Sequence, residues 1–70
     1  METEKTKDIK LIRDYIEQCG GEVAVADITV HSGAERLRVY PILQEMILDG
    51  SITIVKTEDL GAPAIVKLAD

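Results

Sequence analysis

The side chains of this chain that could do covalent or metal chemistry are few, and each stands alone. His31 is the only histidine and Cys19 the only cysteine. A metal centre needs three or four ligands at short, patterned spacings, and no HExxH or Cys/His cluster occurs. Cys19 lies on an apolar stripe with no adjacent base to lower its pKa, so it fits a small buried hydrophobe better than a nucleophile. His31 fits a surface or partly packed residue, and the pair Glu58-Asp59 fits a solvated loop. Glycines 20, 21, 33, 50 and 61 form neither of the two phosphate-cradling patterns. No nucleophile, base and orienting group can be assembled, which argues against an enzyme. No cofactor and no small-molecule site is implied.

The remaining chemistry is ionic. Arg36 and Arg38 stand at the start of an amphipathic stretch, where a guanidinium can grip phosphate or the acceptor edge of guanine. Lys56 is a third such cation. Opposing them, the chain has 13 acidic residues and 8 basic ones, a net charge of −5. Phosphate neutralisation supplies most non-specific affinity for nucleic acid, so an acidic balance disfavours DNA without excluding a local basic patch. The simplest alternative for both arginines is a solvated surface, pairing with Glu35 or Asp27 for little energy.

Elements must position these residues, and periodicity locates them. Ile9, Ile12, Ile16 and Cys19 recur at spacings of three and four, with Leu11 and Tyr15 widening the stripe, which predicts a first helix over 6–19. Thr6 is the expected cap and Asp8 sits near the positive end of the helix dipole. Residues 1–5 are expected to be a flexible, charged tail. Gly20-Gly21 gives a stop, and Glu22 to Val25 is a brief β-leaning link. A short second helix follows over 25–32 with Ile28 inward, and Ser32-Gly33 is the turn. The third helix is expected over 34–49, carrying Val39, Ile42, Leu43, Met46 and Ile47 on one face until Gly50 closes it. Pro41, lacking an N–H, should kink this helix or push its start later. Ser51 to Lys56 alternates so that Ile52 and Ile54 share a face, and Ala64 to Leu68 returns as a second strand with Val66 and Leu68 inward. The loop between them, about seven residues, holds Gly61 and Pro63.

In this order of elements the chain resembles the winged helix-turn-helix superfamily. The match runs from Thr6 to Leu68, and its most specific piece is V39-x-x-x-L43-x-x-x-I47-x-x-G50-x-I52, which is similar to a third helix running into the first strand of a wing. Ile28 and Gly33 resemble the apolar residue and turn glycine of the second helix. The resemblance implies an α+β fold: a three-helix core with a C-terminal two-stranded hairpin and a short third strand. In DNA-binding members the third helix lies in the major groove, which would turn Glu35, Arg38, Pro41 and Glu45 outward. Glu45 and Pro41 depart from that pattern, and Lys56 is followed by the acidic Glu58 and Asp59.

Seventy residues allow one domain, expected to occupy 1–70. A core this small supplies roughly 3–5 kcal/mol, so a protein partner or a homodimer is plausible. Hydrophobic residues make up 46% of the chain, too many for a disordered tail, and Tyr15 and Tyr40 are its only aromatics. No apolar run approaches the ~20 residues needed to span a bilayer. METEKTKDIK is charged and lacks the apolar core expected of a signal peptide, and a lone cysteine suits a reducing cytoplasm. Two functions follow. One is a small transcriptional regulator contacting nucleic acid through Arg36, Arg38 and Lys56. The other is an acidic protein-interaction or dimerisation module using Leu60 and Tyr15.

Overall fold

The structure is a computed structural model and describes residues 3–69. It is an α+β fold of three helices and a three-stranded antiparallel sheet. The chain runs through α1 (Glu4–Gln18), β1 (Glu22–Ala24), α2 (Val25–His31), α3 (Arg36–Leu48), β2 (Ile52–Thr57) and β3 (Pro63–Leu68). No helix among the described residues is long and apolar enough to cross a membrane.

The first helix begins two residues before the expected start. Thr3, not Thr6, is its cap: the Thr3 hydroxyl accepts the Thr6 N–H at 3.1 Å, satisfying one of the helix's otherwise unpaired donors. Glu4 and Lys5 are therefore helical and do not belong to a tail, while Met1 and Glu2 lie outside the described residues. Ile12 and Ile16 are fully buried, with Ile9, Leu11 and Tyr15 packed at the rim. Cys19 is the correction to the stripe. It is exposed, because the helix has already ended at Gln18 and Cys19 is its C-cap.

α1 and α3 stop by the same device. Gly20 has φ +89 and its N–H bonds to the Glu17 carbonyl, while Gly21 N–H reaches back to Ile16. Gly50 has φ +84, its N–H bonds to Ile47, and Ser51 N–H reaches Met46. These paired bonds close a helix only if the residue after the cap takes a left-handed conformation, which glycine adopts without a Cβ clash.

The short strand β1 exists, and it makes the sheet three-stranded in the order β1-β3-β2. Val66 of the central β3 is buried, with Val23 of β1 and Ile54 of β2 as its cross-strand partners. Ile52 is buried as expected, but Ile54 stays substantially exposed on the edge strand. The pairing shifts after Ile54, so Val55 has no direct partner and Lys56 lies opposite Ile65. Such an irregularity breaks simple alternation. The strands extend to Thr57 and Pro63, which leaves a shorter loop than expected, Glu58 to Ala62, closed by Glu58 N–H to Ala62 O at 2.8 Å.

One core joins these elements. Ile12 and Ile16 from α1, Val25 and Ile28 from α2, Val39, Ile42, Leu43 and Met46 from α3, and Val23, Ile52 and Val66 from the sheet are all buried. α2 follows Ala24 with no side-chain cap bond, and Asp27 lies in its first turn. Ser32 is buried, and its hydroxyl accepts the Ala34 N–H across the turn into α3. α3 starts at Arg36, two residues later than expected, with Glu35 as its cap, and it carries Pro41 inside it.

Candidate interaction surface

α3 carries two of the three predicted cations, Arg36 and Arg38, and two of the most exposed apolar side chains, Leu37 and Leu48. Its orientation follows from its core contacts. Val39, Ile42, Leu43 and Met46 are buried, and Ile47 is half-buried at the margin. At about 100° per residue, the direction opposite that group falls on Leu37, Pro41, Gln44 and Leu48. All four are exposed, Leu37 by 85% and Leu48 by 84%. The outward strip is thus rotated from the expected set Glu35, Arg38, Pro41 and Glu45. Only Pro41 belongs to both.

Arg38 shows what that rotation means. It lies on the flank of α3 facing α1, where its Nε donates to Asp8 Oδ2 at 2.6 Å and its Nη2 approaches Glu4 Oε2 at 3.6 Å. Asp8 is only 5% exposed. A carboxylate that deep is stabilised by a charge-assisted hydrogen bond and is costly to leave unpaired. The hydrogen bond to Asp8 raises the Arg38 pKa further above its ordinary value. Arg38 is therefore committed within the chain. On the same flank Lys5 Nζ donates to Glu45 Oε1 at 2.7 Å, an exposed pair of small energetic weight.

The other two predicted cations are exposed but do not join Arg38. Arg36 is at the first turn of α3. Lys56 lines a shallow groove beside the β2–β3 hairpin, together with Ala24, Leu60, Ile65 and the acidic Glu58 and Asp59. Neither arginine lines that groove, so the charge around Lys56 is mixed and not a basic track. Leu60 is 98% exposed at the hairpin tip. Tyr15 is half-buried against the core, its ring 6.3 Å from that of His31. It contributes more to packing than to a free surface. No group of three His, Cys, Asp or Glu side chains among the described residues is placed to hold a metal.

Sequence reasoning missed the pairing of Asp8 with Arg38 and the alignment of Leu37 with Leu48. The second was readable in principle: the two leucines are eleven positions apart, close to three helical turns, and so project in nearly the same direction. No family model matches this chain, and no curated protein or solved structure matches it significantly. The geometry alone carries the functional reading.

Proposed function

We propose that this chain is a non-catalytic winged-helix module that works by binding protein through the outer face of α3. Support for the winged-helix assignment comes from the element order and from the sheet order β1-β3-β2, in which the last two strands form the wing. Support for protein as the partner comes from one observation above the others. The outer face of α3 carries Leu37, Pro41, Gln44 and Leu48 and no cation, while Arg38 is held by Asp8. Exposed apolar side chains aligned on one helix face mark an interaction surface, whereas scattered ones do not.

The rival is a nucleic-acid-binding regulator, and the exposure of Arg36 and Lys56 favours it. Two exposed cations, one of them beside the acidic Glu58 and Asp59, supply few phosphate contacts. The deciding experiment is a fluorescence-anisotropy titration with mixed-sequence duplex DNA at low and then moderate salt. The expected result is no binding at either salt. Salt-sensitive binding that weakens in Arg36→Ala and Lys56→Ala would overturn the protein-binding reading.

A further inference from the structure

We propose that the start of α1, Glu4 to Asp8, is an ionic strap: a segment fastened to the flank of α3 by ion pairs, which opens as a unit while the rest of α1 stays on the core. The inference stands on burial and on the ion pairs, independently of the protein-binding reading. α1 is attached in two different ways along its length. From Ile9 onward it offers apolar side chains, with Ile12 and Ile16 fully buried and Ile9, Leu11 and Tyr15 at the rim. Before Ile9 it offers none. Glu4, Lys5, Thr6 and Lys7 are all exposed, and the one buried side chain of the segment is the carboxyl group of Asp8.

Among the described residues, every side-chain hydrogen bond or ion pair from this segment to another element ends on α3. Asp8 Oδ2 accepts Arg38 Nε at 2.6 Å, Lys5 Nζ donates to Glu45 Oε1 at 2.7 Å, and Glu4 Oε2 stands 3.6 Å from Arg38 Nη2. Lys5 shows that these ties are not a by-product of the helix. It is the second residue of α1, at the positive end of the helix dipole, where a cation is disfavoured. Local preference would place an acid there. What a lysine meets at this position is Glu45, forty positions away.

A segment with no apolar burial has little besides these contacts to hold it closed. The two exposed pairs are individually weak, so Asp8 against Arg38 is the main fastening. When the strap opens, Arg38 and Glu45 lose their partners on α1. The flank beside the outer face of α3 then gains a free guanidinium and a free carboxylate. The strap is thus a device that sets the charge bordering that face.

Amide exchange of the full chain, followed residue by residue by NMR, tests the strap. In the wild type the amides of Lys7, Asp8 and Ile9 should exchange at least about 10-fold faster than those of Ile16 and Leu43, after correction for intrinsic rates. Asp8→Ala should speed the opening of the first turn about 10-fold or more. A charge-reversal cycle on the exposed pair keeps the fold intact. Glu45→Lys should speed the opening, and adding Lys5→Glu to it should slow it again. The effect of Lys5→Glu on the helix dipole is common to both backgrounds and cancels, which leaves a coupling of at least about two-fold.

First-turn amides as protected as Ile16 overturn the proposal, because α1 would then move as one piece. An opening indifferent to Asp8→Ala overturns it too. So does the absence of coupling between Lys5 and Glu45, which would reduce the opening to ordinary fraying of a helix end.

Discussion

α1 and α3 are both amphipathic, both pack an aliphatic stripe into the same core, and both stop at a left-handed glycine. Their outer faces differ in kind. α1 turns Lys7, Lys10, Arg13, Asp14 and Glu17 to water, all exposed and of mixed sign. α3 turns Leu37, Pro41, Gln44 and Leu48 the same way. A helix whose only role is to cover a core is complete with a charged back, as α1 is. α3 carries two aligned leucines that the fold itself leaves uncovered. Since both helices share one core, substitutions can separate what holds the fold from what that face does.

The largest contrast lies across α3 itself. Leu43 has no exposed surface, and Leu43→Ala should cost about 2–5 kcal/mol through lost burial and the cavity left behind. In a domain this small that consumes most of the available stability, so urea denaturation should find the variant largely unfolded near 25 °C. Leu37→Ala and Leu48→Ala, on the opposite face, should each shift stability by no more than about 0.5 kcal/mol. A large loss at Leu37 in the monomer would mean its side chain packs within the chain, and the contrast between the two faces would collapse.

A smaller effect tests the buried charged link between the helices. Asp8→Ala removes the buried acceptor of Arg38 and should lower the urea midpoint by less than Leu43→Ala does, yet clearly. Glu4→Ala, whose carboxylate is exposed and 3.6 Å from the guanidinium, should change nothing measurable. Equal losses from the two would show that the Asp8 contact is as dispensable as a surface pair.

Much of this architecture was legible because it is local or periodic. Ile12, Ile16, Ile28, Val39, Ile42, Leu43, Met46, Ile52 and Val66 all lie in the core, as their spacings predicted. What escaped was set by tertiary geometry. Asp8 and Arg38 are thirty positions apart, and no local pattern announces their contact. The outward strip differs from the expected one because the five apolar positions of α3's inner face are not equally deep. Its centre lies toward Ile42 and Met46, with Ile47 at the margin, and that rotation carries Arg38 to α1 and Leu37 into solvent. Thr3 and Thr6 are equivalent cap candidates by type, and only the Thr6 N–H donating to Thr3 decides between them. Cys19 shared the period of the α1 stripe but falls where the helix has already turned away.

The helix ends should respond alike. No atom stands within 4 Å of where a Cβ would lie at Gly20 or Gly50. Gly20→Ala and Gly50→Ala should therefore each cost only the left-handed backbone penalty of an L-residue, about 1–2 kcal/mol. A markedly larger loss at one end in thermal melts would mean the two stops are not the same device after all.

The smallest effect separates the two C-caps, Cys19 and Asp49. An acidic side chain at a helix C-terminus faces the negative end of the dipole, yet the Asp49 carboxyl is held below its ordinary value. The Ser51 hydroxyl is the first cause and the Ser51 N–H, 2.8 Å from Oδ1, the second, with Arg13 adding to them against partial desolvation. A carboxyl whose folded pKa is depressed stabilises the fold in its charged form. That contribution is complete above the unfolded value near pH 4 and fades as pH falls through the lower folded value. Ser51→Ala removes the larger cause but keeps the backbone N–H. In a carbon-13 carboxyl titration it should move Asp49 partway back toward its ordinary pKa and flatten the acid limb of the stability curve. An unmoved Asp49 would assign the depression to the backbone N–H and Arg13, leaving the Ser51 hydroxyl no part in how α3 ends.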